Sequence, residues 1–361
     1  MKSNHSITHF ELSNFLASGA FFRRADKYFL FAGLRTCSGD GKSQANSVTY
    51  YDFYETGKNR KYVADRFYEL SRDEFYHLLG GYLEQVLLSS SHQNEYEWTN
   101  PREQDFQDSY SRIMTLISQG QITKAVPVGF ARCQAEFSLG AQVKALLHLL
   151  KLDSALYPYG FWADGVGSIG ATPELLFEVE GLQLQTMALA GTLPKGSSTT
   201  AADLMKSTKD LYEHQLVVQD LFQVLKSLGS VRFYGPSILE LPMLFHLITR
   251  FSVELHEEHS ASRFVQWLHP TPALGVAPRG YGFRWMQDLP GQEERQGFGA
   301  PLLFEFGENK SVCLVSIRQL QWGPFGMKIG AGCGIVKESQ FQVEWRELLR
   351  KIDSVRQVLG I

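Results

Sequence analysis

The sequence predicts an α+β protein built on antiparallel sheets. Three observations predict it: paired runs of alternating apolar and polar residues, two segments of helical periodicity, and no regular strand-helix alternation of the kind that builds a doubly wound sheet. The strand signals cover residues 125–130, residues 175–189 with a Glu180-Gly181 turn between two alternating runs, and residues 312–321. Each is expected as strand or hairpin. The first helix is expected over 209–228, where Val217, Leu221, Val224 and Leu228 recur every three or four residues and Gly229 supplies a stop. The second is C-terminal: Ser339 and Gln342 read as a capping box, and Leu348, Ile352, Val355 and Leu359 line one stripe up to Gly360. The run Gly330-Ala331-Gly332-Cys333-Gly334 has neither dinucleotide spacing nor a phosphate-loop lysine, which argues against a nucleotide-binding loop. A polar stretch at 89–107, containing Ser89, Ser90, Ser91, Asn100 and Pro101, is the one seam in the chain.

Composition narrows the partners. With 44% hydrophobic and 20% charged residues over 361, the chain resembles ordinary globular proteins. A net charge of -3 without a long basic run leaves no footprint for nucleic acid or an anionic membrane, so a small molecule is the expected partner. Cys37, Cys133, Cys313 and Cys333 are scattered without metal or redox spacing, as reduced cytosolic thiols are. The apolar run 15–22 lies between Glu11 and Arg23-Arg24 and is expected to be a folded element, not a signal peptide. No stretch approaches the roughly 20 apolar residues of a membrane span. A cytoplasmic location is expected.

Several residues have the chemistry of a site, each with a plainer alternative. Glu344, Glu347 and Lys351 share one helix face, which a surface ion pair would also explain. Glu213 lies four residues before Val217, in line with the buried face, where a carboxylate needs a cation; it would otherwise be a first-turn glutamate favoured by the helix dipole. Carboxylates converging from separate helices would suit magnesium, a hard ion. Lys124 opens an apolar strand, where desolvation favours the neutral amine that a general base requires; the alternative is a lysine snorkelling to water. Glu174 follows the turn Gly170-Ala171-Thr172-Pro173, where burial would make it a proton donor. His246 sits in an apolar run, and Arg318 follows Val315-Ser316-Ile317 in a strand, where a guanidinium needs a planar anion, from substrate or protein.

The order and wording of these blocks resemble the chorismate-utilising enzymes over roughly residues 110–357. The resemblance is carried by Lys124-Ala-Val126, Gly170-Ala-Thr-Pro-Glu-Leu-Leu176, Ala188-Leu-Ala-Gly-Thr192 and Ser207-Thr-Lys-Asp-Leu-Tyr-Glu-His214. It continues through His246-Leu-Ile-Thr249, Leu268-His-Pro-Thr-Pro-Ala-Leu-Gly275, Ser316-Ile-Arg318, Gly330-Ala-Gly-Cys-Gly-Ile-Val336 and Glu344-Trp-Arg-Glu-Leu-Leu-Arg-Lys351. It implies one domain over 1–361, like anthranilate synthase component I, with two stacked antiparallel sheets flanked by helices. The motif-bearing region spans 106–361, and the N-terminal residues 1–105 are less assignable. It further implies that Glu213 and Glu347 hold Mg2+, with Glu344 nearby through water. Arg318 would hold the enolpyruvyl carboxylate, and Lys351 with the backbone around Gly332 and Gly334 would contact the substrate carboxylates. His246 would pack near the ring, and Gly191 and Thr192 would lie at its hydroxyl end.

Within the family, Lys124 matches the base that activates water for attack on ring carbon 2, and Glu174 the acid that protonates the departing 4-hydroxyl. Amination branches usually carry glutamine at the lysine position, and one places a nucleophilic lysine where this chain has Ala190. Ala273 matches the alanine typical of isochorismate synthases, where salicylate and anthranilate synthases have threonine. The resemblance therefore implies an isochorismate synthase needing magnesium and no glutaminase subunit, serving menaquinone or siderophore biosynthesis. The alternatives are a salicylate synthase, an amination-branch enzyme, or a chorismate-binding protein without catalysis. Val276 and Cys333 depart from the family's glycine and alanine, and the backbone there is expected to differ locally.

Overall fold

The computed structural model describes residues 7–37, 46–89, 96–152, 155–196, 199–241, 243–292, 295–307 and 309–361. In chain order come α1 (His9–Ala17), β1 (Gly19–Arg24), β2 (Lys27–Thr36), β3 (Ser47–Tyr50), β4 (Arg60–Ser71), α2 (Arg72–Ser89), α3 (Glu103–Ser118), β5 (Lys124–Ala125) and β6 (Val128–Cys133). Then follow α4 (Leu139–Leu149), β7 (Tyr157–Ala163), β8 (Val166–Thr172), β9 (Leu175–Glu180), β10 (Gln183–Pro194), α5 (Ala201–Leu204) and α6 (Thr208–Leu225). The chain continues with β11 (Gly229–Glu240), β12 (Leu244–Leu255), α7 (Ala261–Leu268), β13 (Val276–Ala277), β14 (Pro301–Phe306), β15 (Lys310–Val315), β16 (Gln319–Gly323), β17 (Gly326–Gly332) and α8 (Phe341–Leu359).

The α+β reading holds, with the strands joined into one large antiparallel sheet. Its order is β11-β12-β10-β9-β15-β14-β3-β4-β2-β1-β7-β8-β16-β17-β6, and β5 pairs with β13 apart from it. The first four strands occupy the middle, where β3 pairs with β14 and β1 with β7. Thr192 and His246 lie near one end of this order and Gly330 and Gly332 near the other, yet all four line one cavity. The sheet therefore curls until its ends approach. Phenylalanines fill the middle: the ring of Phe22 lies 4.6 Å from Phe304 and 5.0 Å from Phe29, pairs worth about 0.5–1.5 kcal/mol each beyond their buried area. No helix among the described residues is long and apolar enough to cross a membrane.

Local chemistry explains where the elements differ from expectation. Segment 125–130 is split because Pro127 has no N–H for a ladder. The expected strand over 312–321 is two strands with different neighbours, β15 beside β14 and β9, and β16 beside β8 and β17; they are separated where Arg318 turns to φ 55. Arg318 is thus at a break, not in a strand. Helix α6 ends at Leu225, so Gly229 opens β11 instead of capping the helix. The capping box at Ser339 and Gln342 does not form: the N-cap is Gln340, and the Ser339 hydroxyl accepts from the amide of Val336. Gly360 does cap α8 in the left-handed conformation, at φ 70. In the stretch 89–107, residues 90–95, which include Ser90 and Ser91, lie outside the described residues.

Candidate active site

Every expected site residue except Lys124 and Glu344 lines a single cavity, whose walls also include Leu189, Leu274, Phe298 and Ile317. A few polar groups converging on apolar walls is the usual form of a small-molecule site.

Helix α6 is capped by Ser207, whose hydroxyl accepts from the amide of Asp210. Glu213 falls in its second turn, aligned with the buried Val217 and Leu221. Its Oε1 lies 2.8 Å from Nζ of Lys124, which has no exposed surface and stands behind the cavity wall made by Glu213 and Gly334. Lys124 does not snorkel. Burial raises the Glu213 carboxyl, but Lys124 and then Lys209 outweigh it and hold the group below its ordinary range. Gly334 permits this packing, since a methyl there would collide with Oε1 of Glu213 and Cε of Lys124.

Glu174 is buried between Thr172, whose hydroxyl oxygen accepts from its amide, and Val315. Burial pushes its carboxyl up to about 8, against an opposing pull from Lys124. It therefore holds a proton at neutral pH, as a general acid must.

Helix α8 presents Glu344, Glu347 and Lys351 on one face. Lys351 lies 2.6 Å from Glu347 and donates to the carbonyl of Gly332 at 2.8 Å. Lys209 lies 2.7 Å from the buried Glu344. Burial, and then the like charge of Glu347, raises the Glu344 carboxyl in spite of Lys209. Ligand atoms of Cys333, Glu344 and Glu347 come within 4.8 Å of one another. Glu213 is outside that group but shares the cavity wall with Glu347. Burial raises the Cys333 thiol well above its usual range, so it stays protonated and donates to the carbonyl of Glu344. Hard carboxylate oxygens in repulsion, without a thiolate, fit a hard divalent ion such as Mg2+ and disfavour a soft one.

A bulge in β10 at Gly191, φ 79, brings Thr192 opposite His246 of β12. Thr192 Oγ1 is 3.0 Å from Nδ1 of His246, and an Arg318 guanidinium nitrogen is 3.5 Å from Nε2. Because Arg318 offers only donors, Nε2 accepts and the imidazole proton belongs on Nδ1. Burial and then the charge of Arg318 hold His246 neutral. No carboxylate among the described residues pairs with Arg318, whose other nitrogen donates to Ser354 Oγ at 2.9 Å. Burial brings it down to about 10. Such a guanidinium is open to an incoming anion.

Ala273 lines the cavity. Val276 lies in β13, extended opposite Ala125, so its branched side chain is unstrained. Lys209 was not singled out from the sequence, although its place one turn before Glu213, at i, i+4, signals a shared face.

A family model described as chorismate binding enzyme matches residues 58–360. The salicylate biosynthesis isochorismate synthase of Pseudomonas aeruginosa is 32% identical over 261 residues, covering 69% of this chain; the chain spans about half of that relative, 53%. Isochorismate synthase EntC of Escherichia coli is 27% identical over 269 residues, 72% of this chain and 68% of EntC. The solved structure of MenF, the menaquinone-specific isochorismate synthase of Escherichia coli, superposes with a TM-score of 0.79 at 16% identity, covering 99% of this chain and 93% of that one.

Proposed function

The chain belongs to the chorismate-binding enzymes, and from that premise we propose that it is a magnesium-dependent isochorismate synthase. The observation that carries the reading is the burial of Glu174 in the cavity wall, which pushes its carboxyl up to about 8, with a buried amine, Lys124, behind that wall. In the reaction, Lys124 is the base that takes a proton from water as the water oxygen bonds to ring carbon 2. The two ring double bonds each move one position, the bond from ring carbon 4 to its hydroxyl breaks, and Glu174 supplies the proton with which that oxygen leaves as water. One water enters and one leaves, and the proton gained by Lys124 is returned to Glu174 through solvent between turnovers, so the net change is an isomerisation. Glu213, 2.8 Å from Lys124, stabilises the ammonium that forms.

Glu213 and Glu347 would hold Mg2+, with Glu344 behind them. When bound, the ion would supply positive charge for the ring carboxylate. Arg318 takes the enolpyruvyl carboxylate, and Lys351, anchored on the Gly332 carbonyl, keeps Glu347 in place. The neutral His246, fixed by Thr192 and Arg318, packs on the ring without exchanging protons. The reading needs no glutaminase partner.

Purified protein given chorismate and Mg2+, without ammonium or glutamine, is expected to form isochorismate, identified by chromatography. Release of pyruvate with a fluorescent aromatic product would establish salicylate formation instead, and a requirement for ammonium would overturn the reading.

A further inference from the structure

A second, partly open cavity lies between the end of α4, the start of β12 and α8. Its wall includes Leu152, Leu156, Leu244 and Val358, with Lys151 exposed at its edge and no carboxylate among the described lining residues. Arg318 lines both cavities. One guanidinium nitrogen donates to Ser354, which lines only the second cavity; the other faces His246, which lines only the first. The guanidinium is a shared wall with a donor edge toward each side.

We propose that the second cavity binds a small apolar molecule carrying one carboxylate and that its occupancy weakens substrate binding through Arg318. The apolar part lies against the leucine and valine wall. The carboxylate takes Arg318 from Ser354, and Lys151 adds attraction at the mouth. A fork of donors drawn to an anion on one side is lost to a carboxylate on the other, so the two sites oppose each other, and by linkage they do so reciprocally.

The probe is 3-phenylpropionate, titrated calorimetrically into the full chain without substrate, with 3-phenylpropan-1-ol as its uncharged counterpart. The acid is expected to bind at least about tenfold more tightly than the alcohol. Val358→Trp, which puts a bulky ring into the apolar wall, weakens binding at least about tenfold, and the exposed Lys151→Glu weakens it about tenfold. In turnover the acid raises the apparent KM for chorismate in the native protein but not in V358W. No binding of the acid, or binding unchanged in both variants, overturns the proposal. Calorimetry needs no turnover, so its outcome is separate from that of the catalytic reading.

Discussion

Replacing Glu174 with glutamine is expected to lower kcat for chorismate by about 10²–10⁴-fold, the range of a positioned general acid, with little change in KM. Glutamine keeps the shape and removes only the proton that the leaving hydroxyl needs. In the native enzyme, the rate is expected to fall as pH rises through about 8, where Glu174 loses its proton. Stability follows the same group. Because its folded value lies above the ordinary carboxyl value of 4.5, its contribution to folding is complete below the ordinary value and is lost as pH rises through about 8. The glutamine variant, having no proton to lose, is therefore expected to gain in stability relative to the native protein across that window. Steady-state kinetics and thermal melts at pH 5 and 9 check both effects. A variant within a few fold of native kcat would show that another group protonates the hydroxyl.

The Lys124→Ala variant is expected to lose activity on a similar scale, about 10²–10⁴-fold, and also to lose stability. Lys124 is the ion-pair partner of Glu213 at 2.8 Å. Removing it leaves a buried carboxylate with no other ion-pair partner among the described residues, a loss of about 3–5 kcal/mol when one partner of a buried pair is deleted. The double variant Lys124→Ala with Glu213→Gln recovers much of that stability and none of the activity. Denaturant titration measures the first and the chorismate assay the second. Equal stability of the single variant and the native protein would mean that the pair is not formed as described.

Much of this site was legible in the sequence because its chemistry is local. Glu344, Glu347 and Lys351 share a face by helical spacing alone, and Glu213 could be placed on a buried stripe by its distance from Val217 and Leu221. The buried Glu174 follows from a turn entering an apolar strand. What was not legible depends on which strands meet. The joining of strands from opposite ends of the sheet order at Thr192, His246 and Gly332 is a matter of curl, which no single strand encodes. The position of Arg318 depends on a left-handed residue between two strands that separate. Alternation cannot distinguish that from one long strand. Lys209 pairs across helices with Glu344, 135 residues away, and the Lys124–Glu213 pair joins a strand to a helix. The misplaced capping box has a different origin: the Ser339 hydroxyl is engaged by Val336 in the preceding turn, so the helix starts one residue later on a side chain that does not cap.

If an acid in the cavity wall and an amine behind it exchange water for a hydroxyl at two different ring carbons, the new hydroxyl oxygen comes from solvent. Turnover of chorismate with Mg2+ in water enriched in oxygen-18 tests it most directly, read by mass spectrometry of the product. The expected product is isochorismate carrying one solvent oxygen, in the hydroxyl on ring carbon 2. Isochorismate that retains the original hydroxyl oxygen of chorismate, with no label from solvent, would contradict it.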